Sequence, residues 1–124
     1  MQAYGFTSAP IIQALAQAKE RGVAVEVILD RSNERRRYTG ATYLVNHGIQ
    51  PLIDDKVAIA HNKVLVIDER NVITGSFNFT KAAQFRNAEN VLMISDDARL
   101  AQAYAENWNR RREVSHPYED FRGN

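Results

Sequence analysis

Apolar residues recur along this chain in two rhythms. From Ala9 to Arg21, Ile11, Ile12, Leu15, Ala16 and Ala18 follow a repeat near 3.6 residues, which predicts a helix with one buried face. Ser8 is placed to cap it, Pro10 is tolerated in its first turn, and Gly22 ends it. Ala98 to Arg112 repeats the rhythm through Leu100, Ala101, Tyr104, Ala105 and Trp108, after a start at Ser95-Asp96-Asp97. A shorter helix is expected over Ala41 to His47, closed by Gly48. The second rhythm is that of short strands: Gln2 to Phe6, Val23 to Leu29, Ile49 to Ile53, Lys63 to Ile67, Val72 to Gly75 and Asn90 to Ile94. Val23 to Leu29 is nearly continuous in apolar residues, as expected of a strand covered on both faces. Glu69-Arg70-Asn71 is a link short enough to make a hairpin of the runs beside it. Arg31 to Gly40 reads as a polar loop, Asp54-Asp55 as a turn, Lys81 to Phe85 as one helical turn, and the tail from about Ser115 as mobile. Strands interleaved with helices predict an α/β fold, a mixed β-sheet flanked by helices on both faces.

Composition narrows the classes without choosing among them. The 124 residues suit one domain, 1–124, and 44% hydrophobic with 25% charged residues is ordinary for a globular chain. There is no transmembrane run and no start resembling a signal peptide. Zero cysteines exclude disulfides, a thiolate zinc site and a cysteine nucleophile, and leave the compartment undecided. A net charge of +1 is no polycation, yet twelve of the sixteen basic residues are arginine, whose planar fork suits phosphate. Arg31, Arg35, Arg36 and Arg37 follow the end of a predicted strand, where ligands of open α/β sheets bind, so they are the candidate nucleic-acid contacts. Arg110-Arg111-Arg112 ends the last helix and is explained equally well by the negative end of its dipole.

Chemistry concentrates between His61 and Glu89. His61 and Lys63 stand two apart at a β-branched run, so a strand puts imidazole and ammonium on one face. Ser76 and Asn78 repeat that geometry at the end of the next strand, where a hydroxyl and an amide can donate to phosphate oxygens. Phe77 and Phe79 alternate with them and are expected in the core. A phosphodiester cleavage needs a nucleophile, a clamp for the phosphoryl oxygens and a proton donor. Taken singly, each residue has a plainer reading: a structural histidine, a solvated lysine or glutamate, turn-forming serine and asparagine.

In conjunction they form H-x-K-x(4)-D, with Asp68 as its last member, followed by Gly75-Ser76-Phe77-Asn78-Phe79. This resembles the signature of the phospholipase D superfamily, and its tail resembles the small bacterial endonucleases of that family that carry one copy per chain. The resemblance extends from Ala3-Tyr4-Gly5-Phe6-Thr7 to the Trp108 helix. It implies that His61 is the nucleophile of a phosphohistidine intermediate, and that Lys63 and Asn78 clamp the phosphate with Ser76 beside them. Glu89 matches the acidic residue that holds the histidine ring in that family. Asp68 differs in parity from His61 and Lys63 and sits at the strand end, so a structural, ion-pairing role is expected of it. The resemblance also implies a metal-independent enzyme with no cofactor, DNA or other nucleic acid as substrate, and a homodimer with a shared active site. A periplasmic or secreted location is implied in the same way, with no export signal in view. Related chains have a further strand and helix before the segment matching Ala3 to Thr7, so this chain reads as N-terminally shortened.

The dimer follows from proton counting. One imidazole cannot easily attack phosphorus and protonate the leaving group in the same step. His47 precedes Gly48 at a helix end and His116 lies in the tail, neither in a catalytic context. A second subunit's His61 is the remaining source. Three alternatives stand beside the nuclease. A lipid hydrolase or phosphatidyl transferase of the same superfamily usually carries two motifs and membrane-facing apolar elements. A metal nuclease of the H-N-H kind is disfavoured because Lys63 replaces its last histidine. A catalytically silent nucleic-acid-binding domain would not need His61, Lys63, Asn78 and Glu89 together.

Overall fold

The computed structural model describes residues 1–34 and 39–119. One seven-stranded sheet forms the frame, in the order β6-β5-β4-β1-β2-β3-β7. Its strands are β1 (Gln2–Ala3), β2 (Ile28–Asp30), β3 (Leu52–Asp54), β4 (Val64–Ile67), β5 (Asn71–Gly75), β6 (Val91–Ile94) and β7 (His116–Pro117). The helices are α1 (Ala9–Glu20), α2 (Gly40–Asn46), α3 (Lys81–Phe85) and α4 (Ala98–Glu113), with a 3-10 turn at Arg31–Glu34. β1, β2 and β3 are parallel, whereas β4 runs antiparallel to β1, and β5, β6 and β7 are antiparallel to their neighbours. The expected mixed α/β sheet with helices on both faces is therefore the fold.

Side-chain parity divides the core. Ala3, Leu29 and Ile53 stand side by side across β1, β2 and β3 and pack under α1 and α2 with Phe6, Ile12, Ala41 and Leu44. Gly40 permits the close fit, since a Cβ there would stand 2.6 Å from the Phe6 ring and 2.7 Å from Ile12. Thr39 caps α2 by accepting from the Ala41 and Thr42 amides. On the opposite face α4 covers the hairpin, with Ala101, Leu100 and Tyr104 against Val64, Val66 and Val72. The Trp108 indole donates to the Met1 carbonyl at 3.0 Å and ties α4 to the sheet centre. Among the described residues no helix is long and apolar enough to cross a membrane.

Several expectations change: β1 ends at Ala3 rather than Phe6, and β3 runs over Leu52–Asp54 rather than Ile49 to Ile53. The run from Val23 is strand only from Ile28, because β1 and β3 offer partners only from that register onward. Asp54 is the last residue of β3 rather than a turn, and its buried carboxylate takes two hydrogen bonds from Arg111, at 2.7 and 2.9 Å. The mobile tail expected from about Ser115 does not describe Ser115 to Glu119. β7 pairs with β3, and the buried Tyr118 hydroxyl bonds Thr42 Oγ1 at 2.8 Å. An amphipathic pattern cannot announce a two-residue edge strand anchored by one tyrosine.

The Arg111–Asp54 pair fastens the end of α4 to the end of β3. Burial pushes the Asp54 carboxyl up, but the Arg111 guanidinium and the Lys56 amide outweigh it and hold its pKa below the ordinary 3.8. A depressed carboxyl contributes stability above its ordinary value and loses it as pH falls through the depressed one. Arg111→Leu is expected to destabilise by about 3 kcal/mol at neutral pH, because a buried carboxylate loses its partner. The gap between wild type and variant should narrow as pH falls, starting above the ordinary carboxyl value, because the buried Asp54 left without Arg111 protonates before the paired one does. Urea melts from pH 3 to pH 7 would refute this by showing a gap independent of pH.

Candidate active site

Because β4 runs against β1, the residues entering β4 lie beside those leaving β1. Tyr4 follows Ala3 out of the sheet and meets both of them. Its ring stands edge-on to the His61 imidazole, with centroids 4.7 Å apart, and the Lys63 ammonium lies 5.6 Å from its centroid. His61 and Lys63 belong to the run into β4 rather than to the strand itself, which starts at Val64. They nevertheless converge on one aromatic wall. Lys63 is 8% exposed, and its Nζ donates to the His61 carbonyl at 2.8 Å. Burial draws its pKa below the usual lysine value, and the negative charge of Glu89 acts in the opposite sense.

The second half of the site is built on β5. Gly75 ends that strand where a Cβ would fall 2.0 Å from the Asn90 carbonyl oxygen, so only glycine allows the approach. The contact lets the Ser76 amide donate to Asn90 O at 2.9 Å, and the Asn90 amide to Ser76 Oγ at 3.0 Å. The Ser76 hydroxyl then donates to Glu89 Oε1 at 2.6 Å, and Asn87 Nδ2 donates to Glu89 Oε2 at 3.1 Å. Ser76, then Asn87, hold the Glu89 carboxyl below its usual range, with the Lys63 charge adding to them.

Asn78 is placed by a splice between two segments. The Phe79 amide donates to Gly5 O at 3.0 Å, and the Thr7 and Ser8 amides both donate to Phe79 O. The Gly5 amide donates to Asn78 Oδ1 at 3.2 Å. This fixes the orientation of the Asn78 amide and leaves its NH2 to donate elsewhere. Phe79 is buried in the α1/α2 core as expected, whereas Phe77 is only half-buried and joins Ile11, Leu65, Ile73 and Val91 in an apolar depression beside Lys63.

Several of the expected residues have partners that the sequence did not indicate. Glu89 accepts from Ser76 and Asn87, and the imidazole of His61 stands edge-on to the Tyr4 ring. The Ser76 hydroxyl proton is directed at Glu89 and orients that carboxylate. Asp68 has no ion pair among the described residues; Arg70 pairs with Asp96 instead. Asp68 sits in the hairpin turn at φ 57, a left-handed conformation that aspartate tolerates well, and this is a structural reason of a different kind. Arg31 is exposed and donates from Nη2 to the Ala58 carbonyl at 3.1 Å. Arg35, Arg36 and Arg37 lie outside the described residues. Tyr4 escaped the sequence reading, because only the β1–β4 pairing reveals what it touches.

The chain is similar to known proteins in sequence and in fold. A family model described as cardiolipin synthase, PLD-like domain, matches residues 1–112. The phospholipase D of Rickettsia conorii is 50% identical over 112 residues, covering 90% of this chain and 56% of that protein. The human mitochondrial cardiolipin hydrolase is 34% identical over 94 residues, covering 76% of this chain and 37% of that protein. The chain thus spans about half the length, or less, of these curated relatives. Among solved structures, Nuc from Salmonella typhimurium, a phospholipase D family member, superposes with a TM-score of 0.91 at 39% identity, covering 96% of this chain and 80% of that one. NucT from Helicobacter pylori gives 0.84 at 25% identity, covering 94% and 79%.

The Ser76–Glu89 bond can be checked by itself. In Ser76→Ala the first cause of the depressed carboxyl is gone, so the Glu89 pKa is expected to rise toward its ordinary value. A carboxyl-carbon NMR titration that gives the same midpoint in both proteins would contradict the assignment.

Proposed function

The chain belongs to the phospholipase D superfamily, through a PLD-like domain, and we propose that it is a metal-independent phosphodiester hydrolase. In this reading it is an endonuclease with little sequence preference, cutting DNA or RNA at a site shared by two copies of the chain. The observation that carries it is the convergence of His61, Lys63 and the free amide of Asn78 around the crossing of β1 and β4.

The reaction runs in two balanced steps. An imidazole nitrogen of His61 attacks phosphorus, the bond to the leaving oxygen breaks, and a second imidazole gives that oxygen its proton. Water then attacks the phosphohistidine, the second imidazole takes the water's proton, and His61 is released. Lys63 and the Asn78 amide meet the charge that builds on the phosphoryl oxygens. Lys63 also holds the His61 carbonyl, so clamp and nucleophile share one anchor.

The second imidazole is assigned to His61 of another copy. The chain's other histidines are engaged: His47 stacks on Tyr43 and bonds its carbonyl at 2.8 Å, and His116 contacts Asp55 at 3.2 Å. An apolar surface suited to pairing borders the site. On the hairpin face away from α4, Leu65, Ile73 and Met93 align across the strands, and Val91 and Ile67 extend them. Met93 is 65% exposed and Val91 51%. Arg31, Arg35, Arg36 and Arg37 are the proposed phosphate contacts outside the reaction centre.

Plasmid cleavage in excess chelator is expected to proceed, and His61→Ala to lower it by at least about 10²–10⁴-fold. Restoration by Mg²⁺ after a chelator block, or a His61→Ala protein retaining a tenth of the activity, would sink the reading. In mixtures of wild-type and His61→Ala chains under subunit exchange, activity should follow the square of the wild-type fraction. A straight line would return the proton donor to the same chain.

One observation favours a second reading, hydrolysis of a phospholipid. Val57 and Ile59 are exposed on the loop just before His61, with Ile59 at 53%, beside Lys56. Such a pair could enter the surface of an anionic bilayer. If lipid is the substrate, Ile59→Ser should abolish activity on anionic vesicles and leave that on a soluble phosphodiester. Equal loss on both, or on neither, counts against the lipid.

A further inference from the structure

The loop that presents His61 is held from below by a residue with no place in the reaction. Asp30 ends β2 and is 4% exposed. Its Oδ2 accepts the Ser32 amide at 2.9 Å, an ordinary local turn. Its Oδ1 reaches thirty residues along the chain and accepts the Ala60 amide at 2.8 Å, immediately before His61. Arg31 takes the carbonyl of Ala58 in the same loop at 3.1 Å. Asn33 Nδ2 donates to both the Asp30 carbonyl and the Tyr4 carbonyl, each at 3.0 Å. The end of β2 therefore grips both supports of the imidazole, the backbone it hangs from and the Tyr4 ring it packs against.

We propose that Asp30 is a positioning residue, whose carboxylate, with Arg31 and Asn33, sets the attack geometry of His61 through Ala60 and Tyr4. The proposal rests on His61 being the reacting group. A local turn explains the bond to Ser32 but not the one to Ala60, and a surface role is excluded by burial. Burial pushes the Asp30 carboxyl up, yet the Ser32 and Ala60 amides and the Arg31 charge bring its pKa below the usual value. The ionised form, with an acceptor on each oxygen, is therefore the one the fold keeps.

Asp30→Asn preserves shape but can accept well on only one side, so either Ser32 or Ala60 loses its partner. A displaced nucleophile loses turnover more than binding. With bis(p-nitrophenyl) phosphate, kcat is expected to fall about tenfold to a hundredfold with KM within about twofold. In the same folded variant the NMR resonances of the His61 imidazole should move, while those of His47 and His116 stay. A folded Asp30→Asn protein with unchanged kcat, or with an unmoved His61 imidazole, overturns the proposal. Should the variant not fold, amide exchange in the wild type decides: a protected Ala60 amide supports the clasp, and exchange as fast as at Val57 refutes it. The imidazole and amide readouts need no turnover. They therefore judge the clasp separately from the phosphodiesterase reading, which fails instead if His61→Ala keeps its activity.

Discussion

The antiparallel pairing of β4 on β1 is the constraint from which the site follows. A single register pair, Gln2 with Val64, joins the parallel half of the sheet to the hairpin half. Since the strands run in opposite senses, the end of β1 and the start of β4 lie at the same edge. β5 turns back to that edge as well, so Tyr4, Lys63 and Ser76 emerge together from three strands. Had β4 been parallel to β1, His61 would leave the sheet at the opposite edge from Tyr4. The helices on either face hold this register through two separate cores, and a slip of one residue would exchange the α4 face for the α1 face.

Close backbone approaches then set the polar groups. Gly75 lets the chain after β5 come against Asn90, which delivers Glu89 to Ser76. The splice of Phe79 onto Gly5 and Thr7 brings Asn78 against the residues that follow Tyr4. Both devices use main-chain hydrogen bonds, so the side chains they carry have little conformational freedom left. Lys63, buried against Tyr4 and bonded to the His61 carbonyl, is ordered before any substrate arrives.

Charges that look alike in the sequence do different work. Arg111 belongs to the run at the end of α4, yet it is bound to Asp54 and serves the fold. Arg70 pairs with Asp96 across the hairpin end. Arg31 bonds the loop before His61 and still presents its other donors to solvent. Arginines neutralised by a carboxylate, such as Arg111, have fewer donors left for any further contact.

The sequence by itself determined the α/β class, the hairpin from Val64 to Gly75 and the long helices, and it singled out the candidate reactive set. These are periodic or local features: alternation, a glycine before Ser76, a histidine two residues from a lysine. Asp68 was legible as structural for the same reason, although the turn conformation rather than an ion pair is its role. Tertiary structure decided the rest. That Glu89 answers to Ser76, that Tyr4 braces His61, that Asp30 holds Ala60, and that Tyr118 closes an edge strand all depend on contacts between residues apart in the chain. Periodicity tells which face of a strand a residue occupies. It does not tell which other strand lies opposite, and a hydrogen-bond partner is chosen by that neighbour.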